Sequence, residues 1–340
     1  MRVLMVKMSS MGDVVHALPA VTDLVKSRPD VIIDWVVEEA FVDIPQAHPG
    51  VNRVIPASIR RWRKSWWQSR QEVSRFRQEL NCQRYDVVVD AQGLIKSAVV
   101  ARMANGPVAG LDGRSAREGY ASWLYQRKFS VPRTTHAVQR QRLLMAGIFA
   151  YDLGALQLDY GVLTPEADSK QRIVFLHGTT WASKHWPEQH WIELAKIAAE
   201  AGYEVVLAHG NAVELQRAER IAAATSTTRV LPDCTLRQLM TEIGDSAGVV
   251  AVDTGLGHLA AALNVPLIGL YGATDPTLTG VHGSRQELIV SDHLPCIPCL
   301  KRICKFTESS DYAKIHPPCF QMATPEMVFE KLKIVMGRPR

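Results

Sequence analysis

The chain has 340 residues, 47% of them hydrophobic, and a mean hydropathy near zero. That is long for one core and predicts two domains of ordinary size. No apolar run reaches the ~18 residues of a membrane span, and a strand opening within three residues of the N-terminus leaves no room for a secretory signal, so a cytoplasmic chain is expected. Charge is uneven. Residues 1–165 hold 22 Lys+Arg against 15 Asp+Glu, a net of +7, and the remainder carries −2. A basic first half predicts an anionic partner: an acidic sugar, a phosphate, a membrane surface or nucleic acid.

The first apolar run, RVLMVK (2–7), reads as a strand and leads into SSMGDVVHALPA (9–20). A strand-to-helix loop commonly holds phosphate on backbone N–H groups freed by glycines. This one has a single glycine, Gly12, followed by Asp13, whose charge would repel phosphate. The fingerprint G-x-G-x-x-G of a nicotinamide dehydrogenase is therefore absent. Lys7 closes the strand, either as a surface lysine or as a helper to the loop. DWVVE (34–38) and RVIPA (53–57) are the next strands.

The stretch IRRWRKSWWQSRQEVSRFR (59–77) interleaves Arg60, Arg61, Arg63 and Lys64 with Trp62, Trp66 and Trp67. Arginine matches carboxylate and phosphate in a bidentate fork, and tryptophan favours a membrane–water interface. A solvated basic helix is the plainer alternative, and nucleic acid could use such a strip, but no nucleic-acid fold signature accompanies it. YDVVVDA (85–91) is a strand that ends in Asp90, Gln92 and Gly93, with Lys96 on the helix that follows. These groups fit a sugar site on the same rim as Asp13, although Asp90 could simply cap the turn. Arg114 and Arg117 could extend the basic surface.

LQLDYGVLTPEADSKQ (156–171) reads as a linker, which divides the chain into 1–165 and 166–340. The strand pattern then restarts with RIVFLHG (172–178), YEVVLAHG (203–210), GVVAVDTG (248–255) and PLIGLYG (266–272), separated by helix patterns such as HWIELAKIAAEAG (190–202). Apolar strands alternating with amphipathic helices predict parallel sheets covered on both faces, hence an α/β, doubly wound fold in each half. In such folds ligands sit beyond the carboxyl ends of the strands.

Three such ends stand out in the second half. TTWASKHWP carries Thr179, Thr180 and Lys184: hydroxyls for phosphate oxygens and a cation for a leaving diphosphate, unless Lys184 is only a solvated surface lysine. AHGNAVE carries Glu214, a candidate for a ribose or adenine edge, or else an ordinary first-turn helix acid. VDTGLGHLAAAL turns from a strand through Asp253, Thr254 and Gly255 into a helix near His258. Free N–H groups at a helix start attract anions; a tight turn capped by Asp253 is the alternative. Beyond lie Cys296, Cys299, Cys304 and Cys319, spaced CxxC-x4-C-x14-C. That is not a standard finger; tetrahedral zinc and plain thiols both remain open. TPEMVFEKLKIVMG (324–337) reads as a last amphipathic helix that could pack back on the first domain.

Taken together, RVLMVKMSSMGDVVHALPA, DWVVEEAF, VIPASIRRWRK, DAQGLIKSA, SAREGYAS, TTWASKHWP and VDTGLGHLAAAL resemble the lipopolysaccharide heptosyltransferases of glycosyltransferase family 9, most closely the type I branch, in order and over nearly the whole chain. The resemblance implies the GT-B fold, two Rossmann-like domains facing across a cleft, with the acceptor on the first and the nucleotide sugar on the second. It implies inverting transfer of L-glycero-D-manno-heptose from ADP-heptose to the first Kdo of Kdo-lipid A, without a known metal requirement, on the cytoplasmic face of the inner membrane. Asp13 would then be the general base that takes the proton of the attacking hydroxyl. Lys184, Thr179, Thr180 and residues 254–258 would hold the leaving ADP, with Glu214 and Asp253 also on the donor. Arg60, Arg61, Arg63, Lys64, Gln92 and Arg117 would bind the acidic acceptor. No nucleic-acid partner is implied. The cysteine tail is similar to one seen in the type II branch, which keeps heptosyltransferase II, acting on heptosyl-Kdo2-lipid A, as the alternative.

Overall fold

The structure is a computed structural model and describes residues 1–64, 67–154, 156–162, 171–306 and 315–338. Trp66 and half of the expected linker, residues 163–170, lie outside the described residues. The chain divides into two compact units, Met1–Leu163 and Thr164–Arg340.

The first unit is built on one parallel sheet with the order β3-β2-β1-β4-β5-β6: Val51–Ala57, Ile32–Glu38, Arg2–Val6, Val87–Asp90, Val108–Leu111 and Arg127–Phe129. Its inner strands are largely apolar and, past the first residues of β1 and β2, buried, as helix-covered parallel strands must be. Leu4, Val6, Val36, Ile55 and Val88 form the core with Trp62, Phe76 and Tyr125. Each such aliphatic side chain contributes about 1.5–3 kcal/mol relative to exposure.

The second unit repeats the order as β9-β8-β7-β10-β11-β12: Thr228–Val230, Glu204–Leu207, Arg172–Leu176, Gly248–Val252, Leu267–Tyr271 and Gln286–Val290. Its core gathers Phe175, Trp186, Trp191, Val250 and Leu270. The last helix, Pro325–Met336, packs on the helix Glu188–Glu200 and on β10, β11 and β12 of this same unit. Val328, Phe329, Leu332 and Val335 enter the core there.

In both sheets the strand order reverses direction beside the unit's first strand, between β1 and β4 and between β7 and β10. Crossovers leave in opposite directions from such a point and open a crevice at the strand ends. Register sets what meets there. Val6 pairs with Asp90, which brings Lys7 alongside Ala91. Leu176 pairs with Ala251, which brings residues 177–179 alongside 252–254. The opposite end of the first sheet carries a structural cluster. Buried Asp34 accepts from Asn52 at 2.9 Å and Tyr85 Oη at 3.0 Å, and pairs with Arg2 at 3.3 Å and Arg53 at 3.2 Å.

Candidate active site

At the first switch point the chain leaves β1 through Lys7–Ser10 and enters the short helix Met11–Val15. Asp13 Oδ2 accepts two hydrogen bonds from Ser10, from its N–H and its hydroxyl, both at 2.9 Å. Oδ1 accepts none among the described residues. Burial pushes this carboxyl up, but the Lys7 charge, the two bonds from Ser10 and the charge of Arg117 outweigh it, and the net direction is down. Asp13 is therefore ionised at neutral pH, with one oxygen uncommitted.

Lys7 is not a surface lysine. It is 5% exposed and donates from Nζ to Ala91 O at 3.0 Å. Burial pulls its ammonium down, opposed by Asp13 and Asp90 and reinforced by Arg140 and Arg117. It acts on Asp13 through its field, not through a direct ion pair.

Asp90 turns out to be the cap. Fully buried, it accepts from Gln92 N at 2.9 Å, Gly93 N at 3.1 Å, Ser97 Oγ at 2.9 Å and Tyr125 Oη at 2.6 Å. With every lone-pair direction occupied, it has no capacity left for a sugar. Gln92 does something the sequence did not suggest. Its Oε1 accepts from Met8 N at 2.8 Å, and its Nε2 lies 3.5 Å from Ser9 Oγ, where Lys96 Nζ also donates at 3.3 Å. These groups fix the loop that carries Asp13. Gly93 adopts φ +69°, a left-handed backbone open to glycine at little cost. Arg117 is exposed beside it. Arg133 and Arg140 donate to the carbonyls of residues 115–117.

The basic strip forms the helix Ile59–Lys64, from which Arg60, Arg61, Arg63 and Lys64 all reach solvent. Arg60, Arg61 and Lys64 line a cavity of about 320 Å³ together with Glu38, Glu39 and Ser58; Arg63 is not among its lining residues. The acids came without warning. Arg61 is held by Glu39 at 2.7 Å and Glu72 at 2.9 Å, so its fork is already engaged. Glu38 is raised by burial, against the charges of Arg60 and Lys96, and its Oε1 is buried without a partner among the described residues. Trp62 is core, with its Nε1 on Glu72 at 2.9 Å. The missed signal was the EE pair that closes DWVVEE.

At the second switch point Thr179 Oγ1 donates to Asp253 O at 3.0 Å, tying the β7 loop to the β10 loop. Lys184, in the turn Ala182–Lys184, pairs with Asp253 Oδ2 at 2.7 Å, and its Nζ sits 4.3 Å from the centre of the Trp181 ring. Thr274 Oγ1 donates to the same Oδ2 at 2.6 Å. Asp253 thus holds the lysine rather than capping the helix, whose N-cap is Thr254. Lys184 is 15% exposed, which removes the solvated-surface reading. Thr254 is the N-cap of the helix Gly255–Ala262, with no side-chain bond to it, which leaves its hydroxyl and the helix-start N–H groups facing the loop. His258 is buried on that helix, and Thr180 is exposed. Glu214 accepts from Gly210 N at 2.8 Å, and a Cβ on Gly178 would meet its carboxyl carbon at 2.7 Å. It is a first-turn acid on a helix capped by Asn211, with its carboxylate close to the Gly178 backbone.

The four tail cysteines are all free. Cys319 is buried, and burial with the charges of Cys304, Cys299 and Cys296 pushes its thiol up to about 12. Among the described residues no group of three or more His, Cys, Asp or Glu side chains could hold a metal ion. Cys319 belongs to the core, against which Cys296 also packs, while Cys299 and Cys304 sit on a half-exposed loop. That loop instead braces the Lys184 turn: Ser183 N donates to Arg302 O at 3.2 Å and Ser183 Oγ to Lys301 O.

Two doubly wound parallel sheets, each with a polar site at its switch point, are the architecture of the GT-B fold, which glycosyltransferases use. Comparison with known proteins agrees. Residues 73–309 match the family described as Glycosyltransferase family 9 (heptosyltransferase). Lipopolysaccharide heptosyltransferase 1 of Pseudomonas aeruginosa is 46% identical, with 100% of this chain and 99% of that protein covered. Its Escherichia coli K12 counterpart is 46% identical over 84% of this chain and 92% of its own. A solved structure of E. coli heptosyltransferase WaaC with ADP matches with a TM-score of 0.87 at 40% identity, over 98% of this chain and 100% of that one. The chain belongs to glycosyltransferase family 9, the heptosyltransferases. Lipopolysaccharide heptosyltransferase 2 of Salmonella typhimurium is 25% identical over 82% of this chain and 85% of its own.

Proposed function

We propose that this protein transfers L-glycero-D-manno-heptose from ADP-heptose to the first Kdo of Kdo-lipid A. The observation that carries the reading is the ionised, half-committed carboxylate of Asp13 at the first switch point. Asp13 accepts the proton of the Kdo hydroxyl as that oxygen attacks the anomeric carbon. The bond from that carbon to the ADP oxygen breaks on the opposite face, so configuration inverts. The departing diphosphate is a weak base and needs no catalytic acid. Its charge is met by Lys184, the Thr179 and Thr180 loop and the helix start at Thr254–Gly255. Asp253 keeps Lys184 oriented until the phosphates arrive. Arg60, Arg63, Lys64 and Arg117 remain the cations for the acceptor's carboxylates and phosphates, with Arg61 supporting the cavity wall and Gln92 the Asp13 loop.

The lipid-linked acceptor puts the reaction at the cytoplasmic face of the inner membrane. The type II alternative has the weaker support, since the Salmonella typhimurium type 2 relative is 25% identical, against 46% for the Pseudomonas aeruginosa type 1 relative that covers the whole chain. ADP release from ADP-heptose, followed with and without Kdo2-lipid A, tests the reading. Release that depends on Kdo2-lipid A supports it. Release only with an acceptor that already bears heptose moves the protein to type II, and no release with either acceptor removes the transferase function.

A further inference from the structure

The first unit exposes apolar side chains that no part of the reaction uses. Trp123 is 75% exposed and Tyr120 67%, their rings edge to face at 4.9 Å in the turn Gly119–Leu124. The helix Ile95–Met103 packs on that turn and exposes Ile95 and Val99, four residues apart and so on one face. A contiguous exposed apolar patch of this kind marks an interaction site rather than scattered surface residues.

We propose that this face docks the protein on an anionic lipid bilayer. Three features of the surface select that occupant. Tyrosine and tryptophan present an apolar body with a polar tip, which suits the headgroup level of a membrane. Exposed cations adjoin the patch along the chain: Arg102 follows Ile95 and Val99 at helical spacing on their helix, and Arg114 and Arg117 precede the turn of Tyr120 and Trp123. Basic side chains at that distance are drawn to anionic headgroups. A symmetric dimer through the same face would instead bring two like-charged collars together.

The patch is also tied to the site. Glu118, between Arg117 and Tyr120, accepts from Ile95 N at 2.7 Å and donates from its own N–H to Gly93 O at 3.0 Å. Gly93 follows Gln92, which holds the loop of Asp13. Docking therefore sets the acceptor-binding rim against the surface in which a lipid-linked acceptor lies; this step rests on the proposed function. The tryptophan strip at 59–77 is the weaker candidate among the described residues, because Trp62 is core and Arg61 is held by two carboxylates.

The test is co-sedimentation of the full chain with vesicles of phosphatidylethanolamine and phosphatidylglycerol, and with vesicles of phosphatidylcholine alone. The double variant Tyr120→Ser, Trp123→Ser is expected to lose about tenfold in partitioning to the anionic vesicles. Trp67→Ser, the control, is expected to bind like the parent, and the parent is expected to bind phosphatidylcholine weakly. Equal binding by parent and double variant, or no binding by the parent, overturns the proposal. So does a patch-dependent dimer in gel filtration, which would assign the face to a second copy of the chain. Vesicle binding needs no turnover, so it stands apart from failure of the transferase reading. If both hold, the double variant raises KM for acceptor in vesicles and leaves turnover of a deacylated, water-soluble acceptor unchanged.

Discussion

The two switch points contain the same pair of residue types and use them in opposite ways. In the second unit the aspartate serves the lysine: Asp253 Oδ2 binds Lys184 and is itself fixed by Thr274. In the first unit the lysine serves the aspartate. Lys7 donates to a backbone carbonyl and keeps Asp13 ionised from a distance, which leaves one carboxylate oxygen without a partner among the described residues. A cation held by a carboxylate is ready to exchange it for phosphate. A carboxylate polarised by a cation it does not touch is ready to accept a proton. The difference lies in where hydrogen bonds go, not in which residues are present.

Four substitutions and a pH series can break or sharpen that contrast. The largest losses are expected at the two principals. Asp13→Ala should lower kcat about a thousandfold, and Lys184→Ala about a hundredfold, with weaker ADP-heptose binding; steady-state kinetics separate the two. Asp253→Asn removes only the holder, so a loss of about tenfold is expected, and a loss as large as that of Lys184→Ala would make Asp253 a participant. Asp90→Asn tests the buried cap. An amide cannot accept all four of its hydrogen bonds, and urea denaturation should show a loss of about 2–3 kcal/mol, whereas Asp13→Ala should stay close to the parent in stability.

The pH series addresses two histidines buried in their neutral form. Burial lowers His48 and His177 from 6.5 to about 4. The unfolded chain takes up these protons first, so stability falls as pH drops from about 6.5 to about 4 and levels off below. Each residue accounts for at most a few kcal/mol over that window. Asp13 has the same sign in a lower window. Its folded value is depressed, so its contribution is present above 3.8 and is lost only at lower pH. Denaturation midpoints measured from pH 7 to pH 4 should reveal the histidine window, and a flat profile would show that these rings are not held neutral.

Much of the site was legible because strand ends advertise themselves. Asp13, Lys184, Asp253 and Thr179 all follow apolar runs that became β1, β7 and β10. The strands that escaped notice, β5, β6, β9 and β12, lie toward the edges of their sheets; they are three to five residues long, and β6 and β12 are largely unburied, so they carry little periodic signal. Partnerships across the fold were also hidden. Arg61 read as a free cation until Glu39 and Glu72 arrived from other elements. Lys7 was open between a surface lysine and a helper to the loop because nothing local shows that Ala91 O lies beside it. Residue type and position relative to a strand end were readable; hydrogen-bond partners were not.

The most direct measurement is ADP release from ADP-heptose with Kdo2-lipid A by Asp13→Ala, made beside a titration of ADP-heptose binding to the same variant. The account predicts donor affinity within about twofold of the parent and turnover down by about a thousandfold. Turnover within tenfold of the parent, with donor binding intact, would contradict Asp13 as the base.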